Sequence, residues 1–68
     1  MYSFPTTAFG ASFTVSVSGA DIAITSGLSP VVGRNIEEFL SNFSQAFGKP
    51  IDQVRKELEP LIAEINAL

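Results

Sequence analysis

The chain has 68 residues, a net charge of −3 and no cysteine, histidine or tryptophan. A chain of this length has room for one small domain, and its residue set excludes disulfides and the zinc, haem and iron–sulfur sites that need Cys or His ligands. Ser-His-Asp and Cys-His catalysis are excluded for the same reason. We therefore expect no cofactor, no metal site and no enzymatic activity, because no histidine is present to act as a base near neutral pH.

Charge is distributed unevenly along the chain. Residues 1–33 carry Asp21 as their single charged side chain, together with ten serine and threonine residues. Residues 34–68 carry every basic residue and the other six acids. We interpret this change as a switch of secondary structure inside one domain spanning residues 1–68, with a β-rich segment at 1–27 and a helical segment at 30–68, because neither half could hold a core alone.

The first half has the pattern of β-structure. Apolar and hydroxyl residues alternate over residues 12–18, which predicts a strand with Phe13, Val15 and Val17 on one face. Turn residues follow at 18–21, and the alternation resumes at 22–25, so the two runs form a predicted hairpin. Residues 2–9 offer a possible third strand, which Pro5 would confine to the edge of the sheet.

The second half has a helical pattern. Its first apolar stripe predicts one amphipathic helix and contains Ile36, Phe39, Leu40, Phe43, Ala46 and Phe47. Asn35 is the predicted N-cap with Glu38 completing a capping box, and Ser29-Pro30 is an alternative start that would add Val32 to the stripe. Gly48 is predicted to end the helix in a left-handed conformation, and Pro50 suits the first position of the next helix.

A second apolar stripe has spacings of three and four residues, and it contains Ile51, Val54, Leu58, Leu61, Ile65 and Leu68. These are a and d positions over nearly three heptads. Pro60 interrupts them and predicts a kink or break at 56–59. Two interpretations remain open. The stripe packs inside the domain, or it forms a seam shared with a second copy or a partner.

Together these patterns predict an α+β fold, in which an N-terminal β-hairpin with a possible third edge strand packs on a C-terminal antiparallel two-helix hairpin. The glycines at 27 and 33 do not have phosphate-loop spacing. The helical half resembles a helix-turn-helix in spacing but is acidic, so we expect no nucleic-acid partner. A signal peptide and a membrane span are not predicted, and we expect a cytoplasmic protein without a membrane partner or a small-molecule substrate.

We therefore predict a protein-interaction role: a subunit that forms a homo-oligomer or docks into a larger complex, such as a virion, through an uncharged β-edge and the helical seam. The predicted partner-binding residues are Tyr2, Phe4, Phe9, Thr14, Ser16, Leu58, Leu61 and Ile65. The alternative is a small acidic regulator, such as an antitoxin-like inhibitor, that binds a basic site on a partner protein. It would present one or more of Glu37, Glu38, Glu57, Glu59 and Glu64.

Overall fold

The computed structural model describes residues 2–24 and 31–68 of the chain. Its strands and helices, in chain order, are β1 (Tyr2–Ala8), β2 (Ala11–Ser18), β3 (Asp21–Ile24), β4 (Val32–Gly33), α1 (Ile36–Phe47), α2 (Ile51–Glu57) and α3 (Glu59–Asn66). The strands form one antiparallel sheet in the order β1-β2-β3-β4, and the helices follow the sheet in sequence. The α+β fold is confirmed, and β1 is the third strand at an edge, as Pro5 predicted.

Two tight turns connect the first three strands. Phe9 and Gly10 join β1 to β2 with φ values of 52° and 76°, and two positive φ angles in a two-residue hairpin are typical of a type I′ turn. Gly19 and Ala20 join β2 to β3, and the positive φ of 63° at Gly19 alone is typical of type II′. Both turn types match the right-handed twist of the strands, so the sheet is a meander.

The sheet packs against the helices through one face. Phe13, Val15 and Val17 of β2 point inward, as the alternation predicted, and their neighbours on β1 and β3 extend the same apolar surface. Among the described residues, the buried hydrophobic core contains Phe4, Ala8, Phe13, Val15, Val17, Ile22, Ile24, Val31, Phe39, Leu40, Phe43, Val54, Leu58 and Leu61. The phenylalanines other than Phe4 form one cluster around Phe43, whose ring stacks on that of Phe47 with centroids 4.2 Å apart.

The start of α1 differs from the prediction in part. Asn35 Oδ1 accepts a hydrogen bond from the Glu38 N–H at 2.9 Å, which confirms the N-cap. Glu38 Oε1 instead accepts from the Arg34 N–H, one residue before the usual capping-box donor. Val32 does not extend the helical stripe, because it lies in β4 and pairs with Ala23 of β3. Ser29-Pro30, the alternative start, falls within residues 25–30, which lie outside the described residues.

The helices of the C-terminal half end and begin as predicted, except at the start of α2. Gly48 ends α1 with a φ of 63°, which confirms the left-handed cap. Pro50 is the N-cap of α2 rather than its first helical residue. The second apolar stripe is divided at Leu58 into α2 and α3, and Pro60 lies in the first turn of α3, where its missing N–H leaves no helical bond unmade. The predicted break is confirmed.

No helix within residues 2–24 and 31–68 has the length and apolar character required to cross a membrane.

Candidate protein-interaction surface

The outward face of the sheet, which we call the open face, is a surface of small uncharged side chains. Strand alternation places every second residue on it. Its members are Ser3, Pro5, Thr7, Ser12, Thr14, Ser16, Ser18, Asp21, Ala23 and Val32. One row crosses all four strands through Ser3, Ser16, Ala23 and Val32. The helices bury the opposite face of the sheet, and Pro60 of α3 lines a cleft together with the open-face residues Pro5, Thr7 and Ser12.

Two predicted partner residues lie at a different place in the sheet from the one predicted. Thr14 and Ser16 were predicted to lie on an uncharged strand edge, but β2 pairs with β1 on one side and with β3 on the other. The prediction of a β-edge at these residues is therefore wrong, since both sides of the strand are already occupied. Their side chains lie instead near the middle of the open face.

Three further predicted partner residues are interior. Phe4 is 7% exposed, and Leu58 and Leu61 are 0% and 1% exposed. All three side chains belong to the hydrophobic core and cannot contact a partner in this conformation. Val54 is likewise buried, so the middle of the second apolar stripe is core, while its ends at Ile51 and Leu68 are exposed.

The remaining predicted partner residues, Tyr2, Phe9 and Ile65, are partly exposed. Tyr2 is 42% exposed, and its hydroxyl donates a hydrogen bond to Glu64 Oε1 at 3.3 Å. Partial burial, followed by the nearby Glu64 carboxylate, raises the pKa of Tyr2 above its usual value. At the other end of β1, the Phe9 N–H donates to Glu57 Oε1 at 2.9 Å. Carboxylates of α2 and α3 thus hold both ends of the edge strand.

Phe9 is also held by its ring. The ring stacks on Phe43 with centroids 6.2 Å apart, and Lys49 Nζ lies 5.4 Å from the ring centroid on the helical side. A phenylalanine with positive φ is unfavourable, because its Cβ crowds the backbone. The ring packing and the bond to Glu57 offset that strain. Phe9 is therefore a structural residue of the turn, and only part of its surface is accessible.

Four acidic residues of the helical layer have hydrogen-bond partners within the chain. Glu37 and Arg55 form an ion pair between α1 and α2, and the hydrogen bond from Arg55 holds the pKa of Glu37 below its usual value. With Glu38, Glu57 and Glu64 also accepting hydrogen bonds within the chain, most of the proposed acidic surface already has partners. The hypothesis of an acidic regulator is untested, and this engagement weighs against it.

A shallow apolar groove lies at the end of the sheet beside the Gly19–Ala20 turn. Its volume is about 390 Å³, and its lining includes Ile22, Ile36, Ile65 and the Glu37 side chain. The groove places Ile65 next to residues of α1 and β3. Within the described residues no three carboxylates come close enough to hold a metal ion. The groove offers mainly apolar contact, with Asn35 and Glu37 as its polar lining residues.

The sequence contained the signal for the open face, since the alternation over residues 12–18 already placed its hydroxyls on one side. What the sequence did not reveal was β4, a strand of only two residues, and therefore the contribution of Val32, which is 61% exposed. Comparison of the chain with protein-family models, with curated proteins and with solved structures found no match.

Proposed function

We propose that the protein is a non-enzymatic assembly subunit whose open face packs on the open face of a second copy. The observation that supports this proposal most is the composition of that face, where Asp21 is the single charge among ten residues. Solvent-facing sides of sheets usually carry lysine and glutamate, which keep copies apart. Here those charges lie on the helical side instead.

The charge distribution favours a second copy as the occupant. Residues 34–68 carry six acidic and four basic side chains, so two copies repel one another wherever their helical layers meet. Packing of sheet on sheet keeps those acids on opposite outer sides of the pair. Small side chains also allow close approach, and hydroxyl groups can exchange hydrogen bonds across the contact.

The dimensions of the sheet limit the strength of this contact. With a spacing of about 4.8 Å between strands and a rise of about 3.3 Å per residue, the four strands of one copy together present an open face of about 330 Å². Two copies would bury about 700 Å² in total, less than the 1,200 Å² or more of stable complexes. One pair should therefore associate weakly, with a dissociation constant of about 0.1–1 mM.

Sedimentation velocity over concentrations of about 0.05–2 mM tests the proposal. The wild type should shift from monomer toward dimer, with rapid exchange between the two. Ser16→Lys places a cation at the centre of the open face and should keep the chain monomeric throughout. Ser41→Lys makes the same change on exposed α1 and should leave association unchanged. A wild type that stays monomeric at the highest concentration, or equal effects of the two lysines, would reject the proposal.

A further inference from the structure

We infer that β1 can be exchanged between two copies, each copy's β1 replacing the partner's on β2, with the Phe9–Gly10 turn acting as the hinge. This mode is separate from packing of the open faces. It depends on the strand edge of β2 and the inward surface of β1, and not on the outward side chains that these strands contribute to the open face.

The hinge carries the first observation. A type I′ turn requires positive φ at both central residues, and asparagine followed by glycine fits it best. This chain has Phe9 at the first position, with a φ of 52°. In an exchanged pair the turn opens, and both residues can adopt extended backbone with negative φ. Opening the turn removes this backbone strain, while the packing of the Phe9 ring on Phe43 and the bond to Glu57 oppose opening. Short strained hinges favour exchange.

The second observation is how β1 is attached. It is an edge strand, paired with β2 alone. Its remaining attachments are the buried side chains of Phe4 and Ala8 and the hydrogen bonds at its two ends, from Tyr2 to Glu64 and from the Phe9 N–H to Glu57. Exchange separates β1 from the rest of the domain without breaking any other strand pairing.

A second copy is the occupant that fits the vacated place. Its β1 has the same seven residues, so it restores the register with β2, the packing of Phe4 and the bond from Tyr2 to Glu64. An unrelated strand would need an apolar side chain opposite Val15, where Phe4 now pairs, and a hydroxyl that reaches Glu64. The β1 strand of a second copy meets these requirements because its sequence is identical.

Gly10 allows a clean test. A Cβ added at Gly10 would meet nothing within 4 Å, so Gly10→Ala acts only through its φ of 76°. An alanine disfavours this conformation by a factor of about ten, and because an exchanged pair opens two hinges, its dissociation constant should fall about a hundredfold. Gly48→Ala is the matched control, since Gly48 also has positive φ and open space but lies outside the hinge.

The full chain and both variants are refolded at high concentration, diluted, and measured by size-exclusion chromatography with light scattering. Gly10→Ala should form a dimer that persists for hours after dilution, because separation requires β1 to leave the sheet. Gly48→Ala should lose similar stability and show no such dimer. Adding Ser16→Lys to Gly10→Ala should leave the slow dimer intact. Absence of a slow dimer in Gly10→Ala, or an equal amount in Gly48→Ala, overturns the inference, whereas the rapid association of open faces is judged separately by Ser16→Lys alone.

Discussion

Gly33 lies where β4 comes closest to α1, and replacing it with alanine should loosen that contact. A Cβ built on Gly33 would lie 2.4 Å from the Phe39 backbone nitrogen and 2.5 Å from its Cα. Ordinary contacts of a Cβ lie at 3.4 Å or more. The Gly33→Ala substitution therefore requires the strand and the helix to separate by about 1 Å, because neither obstacle is a side chain that can rotate away.

The cost follows from what must move. Overpacking in a core costs about 1–3 kcal/mol when side chains can adjust, and a backbone obstacle belongs at the upper end of that range. Phe39 is fully buried against the sheet, so displacing it also disturbs the core. A domain of this size has a total stability of about 3–10 kcal/mol. A loss of about 3 kcal/mol corresponds to a fall in Tm of about 12–24 °C.

Thermal and urea denaturation followed by far-ultraviolet circular dichroism measure this loss. Gly48→Ala is the control, since its Cβ would enter open space and only the positive φ penalises it, at about 1–2 kcal/mol. Gly33→Ala should be the less stable variant. Equal stability of Gly33→Ala and the wild type would refute the close approach of β4 to α1.

Three further predictions concern the interior and the ionisable groups. Leu58→Ala should lower the free energy of unfolding measured by urea denaturation by about 2–5 kcal/mol, because Leu58 is fully buried. An unchanged free energy of unfolding would show that Leu58 is not a core residue. Tyr2 is the single tyrosine, so absorbance near 295 nm reports its titration, and the midpoint should lie above its usual pKa of about 10 and fall toward it in Glu64→Gln. Stability from this bond is present below that usual value and lost as pH rises through the raised pKa, so an unchanged midpoint in Glu64→Gln would count against it. The pKa of Glu37, measured by nuclear magnetic resonance, should lie below the usual glutamate value of about 4.3 and should rise in Arg55→Gln. The stability that the ion pair contributes is lost as pH falls through the lowered pKa. A Glu37 pKa at its usual value would disprove the ion pair in solution.

The sequence predicted the elements whose signals are local. Alternation identified the face of β2, Gly48 marked the end of α1, and Pro60 marked the break between α2 and α3. Each of these depends on neighbours within a few residues, where spacing and backbone restriction act directly.

What the sequence could not predict depends on distant residues. Nothing local reveals that Val32 pairs with Ala23 or that β2 lies between two strands. A two-residue strand has no periodicity of its own. The apolar stripe through Leu58 was compatible with both a core and an interface, because periodicity identifies an apolar face but not what covers it. The burial of Val54, Leu58 and Leu61 in the hydrophobic core resolves that choice in favour of the core.

The central claim is that copies meet through the open face, and a dilution series of amide spectra recorded by nuclear magnetic resonance tests it most directly. On dilution from about 1 mM, shifts should change along the row formed by Ser3, Ser16, Ala23 and Val32, while the exposed side of α1 stays constant. Spectra that do not depend on concentration, or changes confined to the helices, would contradict the account.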